Sequence, residues 1–75
     1  MKNRLRQVRR FHDETQEELA KAVGVSRQAI SSIENERVVP NGALMIAIAR
    51  HYGMNVTDIF DCAPVKHVEQ INASA

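Results

Sequence analysis

The sequence predicts an all-α fold, a compact domain of five short helices, and three observations carry that prediction. Apolar residues recur at helical spacing almost throughout, and no run alternates with period two for long enough to form a strand. Thr15, Ser26, Asn41 and Asn55 each stand immediately before such a periodic stretch, where a short polar side chain can cap free backbone N–H groups. Gly24 and Gly53 stand immediately after two of the stretches, where a helix end favours a residue at positive φ.

In chain order, residues 2–12 read as the first helix, with Leu5 and Val8 in its apolar stripe. Thr15-Gln16-Glu17-Glu18 is a capping box that opens a second helix running to about Val23. Ser26 caps a third, ending near Asn35 or Glu36, and Asn41 caps a fourth over 42–52 after the break at Val39-Pro40. Asn55-Val56-Thr57-Asp58 resembles a second capping box, with Asp58 in the glutamate role, for a short fifth helix to about Asp61. Pro64 bars simple continuation, so the domain is expected over 1–61 and a tail over 62–75. In the tail, Val65, Val68 and Ile71 form a weak stripe that suits either a frayed terminus or a dimer arm.

The totals narrow the function. A chain of 75 residues with 44% hydrophobic and 25% charged content is one small globular domain. At this size a deep catalytic cleft is not expected. A single cysteine, Cys62, excludes an internal disulfide and a cysteine-based zinc site. His12, His51 and His67 have no ligand spacing among themselves or with Cys62, so no metal or other cofactor is expected. No nucleophile–base pair and no phosphate loop appears, and no enzyme is expected. Met1-Lys2-Asn3-Arg4 leads straight into charged sequence without an apolar run, so neither a leader nor a membrane span is expected, and the cytoplasm is the expected location. Net charge is only +1, but Lys2, Arg4, Arg6, Arg9 and Arg10 crowd the first ten residues before Asp13, Glu14, Glu17 and Glu18. That split suits either two solvated helices or a one-sided basic surface.

The third helix is sparing with apolar residues. At about 100° per residue, Arg27, Gln28, Ser31, Ser32 and Asn35 share one arc, and Ala29, Ile30 and Ile33 lie opposite. The arc holds hydroxyls, amides and a guanidinium but no carboxylate. A plain solvated face usually mixes in Glu and Lys, whereas this set suits hydrogen bonds to base edges and phosphates. The step into this helix is more specific. Ala20 lies four residues before Gly24, and Ile30 and Ile33 lie six and nine after it. Two helices crossing closely over a three-residue turn need a small residue at the contact, glycine in the turn and branched apolar residues behind the second helix.

Residues 16–35, within "TQEELAKAVGVSRQAISSIENER", resemble the helix-turn-helix of the Xre/Cro family of phage and bacterial repressors, and the likeness extends from about Asn3 to Phe60. The resemblance implies a lambda-repressor-like five-helix domain whose third helix enters the major groove of double-stranded DNA. It implies a phosphate contact for Gln16 and base reading by Gln28, whose amide can pair with adenine N6 and N7. Arg27 is expected on a guanine or a phosphate, Ser31 and Ser32 in the groove beside the capping Ser26, and Asn35 and Arg37 on the sugar–phosphate chain. It also implies a bidentate Arg9–Glu34 pair that braces the first helix against the third. Arg9 shares the Leu5–Val8 stripe, where a guanidinium needs a carboxylate.

The chain departs from the family pattern in three places. Asp13-Glu14 replaces a Gly-Leu-like pair, which Asp13 tolerates at positive φ and for which Phe11 is expected to supply the missing packing. Glu36 stands where the family has glycine in Asn-Gly-Lys, and it brings a carboxylate toward the DNA backbone. Gly42 replaces an apolar residue and is expected to loosen the start of the fourth helix. "ALMIAIA" over 43–49 reads as the central core helix, with Met45, Ile46 or Ala47 as a candidate homodimer contact. The expected function is a dimeric transcriptional repressor on a near-palindromic operator. An antitoxin that represses its own operon and a helical adaptor that binds a protein partner are the alternatives.

Overall fold

Local side-chain chemistry sets the helix boundaries in the computed structural model, which describes residues 1–61. The helices are α1 (Leu5–Phe11), α2 (Gln16–Val23), α3 (Arg27–Glu34), α4 (Gly42–Tyr52) and α5 (Val56–Ile59). At the head of α2 the Thr15 hydroxyl accepts from the Glu18 N–H at 3.0 Å, and the Glu18 carboxylate accepts from the Thr15 N–H at 2.8 Å. That reciprocal bonding holds the Glu18 carboxyl below its ordinary value. Ser26 Oγ accepts from Ala29 N–H at 3.1 Å to start α3, and Asn41 Oδ1 accepts from Leu44 N–H at 2.8 Å to start α4. The Asn41 cap counters the loosening expected at Gly42. At α5 the Asp58 carboxylate accepts from the Asn55 N–H at 3.1 Å, while the Asp58 N–H turns to the Asn55 backbone carbonyl at 3.0 Å.

Both ends of the domain are shorter in helix than the sequence implies. The first helix begins at Leu5 rather than residue 2, because Asn3 is extended and forms an antiparallel bridge with Phe60. Asp61 N–H donates to the Lys2 carbonyl at 2.9 Å and Arg4 N–H to the Ile59 carbonyl at 2.7 Å. The same pairing ends α5 at Ile59, since Phe60 has extended backbone. Asn3 also donates through Nδ2 to the Ile33 carbonyl at 2.8 Å, which ties this clasp to the end of α3.

The core gathers Leu5 from α1, Leu19 and Ala20 from α2, Ile30 and Ile33 from α3, Ile48 and Ala49 from α4, and Ile59 with Phe60. Burying a side chain of this size contributes about 1.5–3 kcal/mol, so the few residues that α3 commits suffice to seat it. One packing expectation needs correction. Phe11 is 85% exposed and does not substitute for an apolar residue at 14. Position 14 is instead satisfied as a polar site, with the Glu14 carboxylate accepting from Tyr52 and lying 2.7 Å from His51 Nε2. α4 sends Ile48 and Ala49 into the core and turns Ile46 and Ala43 outward. The expectations about Cys62, Pro64, His67 and the Val65–Val68–Ile71 stripe lie outside the described residues.

Candidate nucleic-acid interface

The crossing of α2 and α3 decides which side chains face outward. Gly24 adopts φ 79° and ψ 32°, a left-handed cap that lets the Gly24 and Val25 N–H groups both reach the Ala20 carbonyl. Ala20 is 2% exposed at this junction, small enough for the two helices to approach. With Ile30 and Ile33 fully enclosed beneath, α3 presents Arg27 and Gln28 as exposed side chains and Ser31 and Ser32 as half-buried ones. The one carboxylate of α3, Glu34, points inward with its side chain fully enclosed. The outer arc of α3 therefore carries donors and acceptors without negative charge.

Glu34 is the hub of a buried network. Arg9 grips it as a fork, with Nε donating to Oε2 at 2.7 Å and Nη2 to Oε1 at 3.2 Å. The remaining Arg9 nitrogen, Nη1, donates to the Glu14 carbonyl at 2.7 Å, so one guanidinium joins α1, the α1–α2 turn and α3. Oε1 of Glu34 also accepts from Gln16 Nε2 at 3.0 Å and from Arg6 Nε at 3.5 Å. Burial alone would raise the Glu34 carboxyl, but the hydrogen bonds from Arg9 and Gln16 outweigh it and hold the group below the ordinary carboxylate value. The hydrogen bond to Glu34 raises Arg9 in turn. Buried polar atoms of the described side chains all find partners.

The network reaches the outer face. Arg6 Nη2 donates to Asn35 Oδ1 at 2.9 Å, and Asn35 Nδ2 donates back to the Ser31 carbonyl at 2.9 Å. Gln16 and Asn35 are thus already oriented by intramolecular bonds, which the sequence did not indicate. An amide nitrogen carries two N–H groups, so Gln16 retains one donor for an outside acceptor, whereas Asn35 Nδ2 also reaches Ser31 Oγ at 3.4 Å. Beyond α3, Glu36 sits at φ 60°, a left-handed conformation in which glycine is the usual choice. Its N–H bonds the Ile33 carbonyl and that of Arg37 bonds Ser32, leaving the Arg37 side chain exposed beyond the end of α3. Asp13, at φ 54°, occupies the corresponding strained place between α1 and α2.

Sequence reasoning missed Arg6 as a member of the network. Its place one helical turn before Arg9 was the available signal, since residues three apart share a face. The polar cluster of Glu14, His51 and Tyr52 was also missed, because 37 or 38 residues separate Glu14 from its two partners and no periodicity links them. In that cluster, burial first and the bond to Glu14 second push the Tyr52 hydroxyl well above its usual range.

Two crossing helices over a glycine turn, capped at each start and seated on a common core, define a helix-turn-helix domain. Residues 5–59 match the helix-turn-helix family model, and the chain belongs to this family, of Xre and lambda-repressor type, whose members are DNA-binding transcriptional regulators. It is 47% identical over 60 residues to an uncharacterised HTH-type transcriptional regulator of Methanocaldococcus jannaschii, covering 80% of this chain and 91% of that one. It is 35% identical over 60 residues to the regulator YgzD of Bacillus subtilis, with the same 80% and 91% coverage. Among solved structures it resembles the P22 c2 repressor in complex with a synthetic operator, with TM-score 0.68 and 34% identity, over 71% of this chain and 80% of that one. No helix among the described residues is long and apolar enough to cross a membrane.

Proposed function

We propose that the chain is a sequence-specific transcriptional repressor that binds a near-palindromic operator as a homodimer, with α3 in the major groove. The observation that carries this reading is the division of α3 into an enclosed face and an outer arc of Arg27, Gln28, Ser31 and Ser32 without a carboxylate. Gln28 reads a base through its amide, Ser31 and Ser32 add short contacts, and Ser26 keeps a hydroxyl proton to donate after capping Ala29. Gln16, Asn35 and Arg37 hold the sugar–phosphate chain, and the Arg9–Glu34 pair keeps α1 and α3 in register beneath them. The likeness to a repressor in complex with a synthetic operator supports the DNA-binding and repressor reading. Two copies would place their recognition helices about 34–36 Å apart, one turn of the duplex.

Selection of binding sites from a random duplex pool tests the proposal. Recovery of a symmetric site, bound with steep salt dependence and losing its preference when Gln28 is replaced by Ala, is the expected result. Absence of duplex affinity even at low salt would instead fit a protein-binding adaptor.

A further inference from the structure

Asn35, at the end of α3, has both ends of its side-chain amide engaged. Oδ1 accepts from Arg6 Nη2 at 2.9 Å, while Nδ2 donates to the Ser31 carbonyl at 2.9 Å and reaches Ser31 Oγ at 3.4 Å. The two ends are fixed independently. A guanidinium can only donate, so the amide oxygen must face Arg6, and a carbonyl can only accept, so the amide nitrogen must face Ser31. Arg6 is held in turn, with Nε 3.5 Å from Glu34 Oε1, on the carboxylate that Arg9 and Gln16 also bond. One chain of bonds thus runs from the buried hub through Arg6 and Asn35 to a hydroxyl on the recognition arc.

A serine hydroxyl is ordinarily an ambiguous reader, because it can donate or accept and pairs with either kind of base edge. At Ser31 that ambiguity is removed. Its oxygen faces the Asn35 N–H, so its own proton turns away from Asn35, and it donates to no acceptor among the described residues. We infer that Arg6, acting through Asn35, is a positioning residue that fixes the Ser31 hydroxyl as a hydrogen-bond donor toward the major groove. Ser31 then selects a base that offers an acceptor, such as guanine O6 or thymine O4, and disfavours cytosine, whose edge there offers only the N4 donor. The inference rests on the DNA-binding reading above and names the class of base that one position of the arc takes.

The test compares affinities of the full chain for the duplex recovered by selection and for its single-base variants, after thermal unfolding shows that each protein variant is folded. Ser31→Ala is expected to flatten the preference at one base per half-site by about threefold to tenfold, the worth of a neutral hydrogen bond. Arg6→Met should weaken the preference at that same base and leave the ranking at other bases intact. Asn35→Asp is the sharper variant, since a carboxylate only accepts and draws the Ser31 proton inward, so that the hydroxyl presents its lone pair to the groove. All duplexes should then bind more weakly through the added negative charge, but the ranking at the Ser31 base should turn toward cytosine. In a Ser31→Ala background, Asn35→Asp should leave that ranking flat. An unchanged ranking in Asn35→Asp, the same turn without the Ser31 hydroxyl, or full preference at every base in Ser31→Ala would each overturn the inference. If Ser31→Ala keeps full preference while Gln28→Ala loses it, the regulator reading stands and this inference alone falls. Lack of any duplex affinity in the unsubstituted chain removes both.

Discussion

The two faces of α3 are built on opposite principles. Its inner face is over-determined, with Ile30 and Ile33 enclosed in the core and Glu34 accepting hydrogen bonds from Arg9, Gln16 and Arg6. Its outer face holds few bonds to the rest of the chain, and Arg27 and Gln28 stand in solvent. Rigidity beneath and unsatisfied donors above are what a reading surface requires, because side chains held on a fixed element lose less freedom on binding. Stability and recognition can therefore be perturbed separately on a helix of eight residues.

The largest expected effect is on the inner face. Glu34→Ala leaves the Arg9 guanidinium enclosed without its carboxylate and should lower unfolding stability by about 3–5 kcal/mol in chemical denaturation. Replacing both partners with apolar residues, as in Arg9→Met with Glu34→Leu, should recover most of that loss, since no buried charge is then stranded. A double variant as unstable as the single one would mean that the ion pair itself, and not the avoidance of an orphan charge, holds α1 to α3.

The pair also has a pH signature. The Glu34 carboxyl is depressed in the folded state, so its contribution is present above the ordinary carboxylate range and is lost as pH falls through the depressed value. Acid titration of stability should accordingly be flatter in Glu34→Gln than in the unsubstituted chain. Equal acid sensitivity would place the responsible carboxylate elsewhere.

Smaller effects are expected at the left-handed turns. Gly24→Ala imposes a side chain at φ 79° and should cost about 1–2 kcal/mol, although no atom obstructs the added carbon. Glu36→Gly relieves the same conformation and should raise the melting temperature by a few degrees, equivalent to about 1 kcal/mol. The comparison between them separates backbone conformation from packing, since neither position is buried.

Most of the fold was legible because it is written in short-range chemistry. The capping at Thr15, Ser26 and Asn41 and the left-handed glycines at 24 and 53 are all interactions within four residues. The Asn3–Phe60 clasp was not legible, since pairing two extended residues 57 positions apart leaves no periodic trace. Phe11 misled for a related reason. Its hydrophobicity argued for burial, but Glu14 found polar partners in His51 and Tyr52 and left no apolar vacancy to fill. On the site, the wheel of α3 separated Ile30 and Ile33 from Arg27 and Gln28 without help. The cluster of arginines on α1 was visible as charge, but only the bonds to Glu34 and Asn35 give Arg6 its place.

Gln28→Ala on the outer arc offers the most direct examination of the division of labour on α3. The full chain and this variant should be compared in thermal unfolding and in binding to the selected duplex and its single-base variants. Unfolding is expected to shift by no more than about 0.5 kcal/mol, while discrimination at one base position per half-site falls by about 1–3 kcal/mol. A variant that unfolds early, or one that keeps the full preference at every position, would contradict the assignment of the outer arc to base reading.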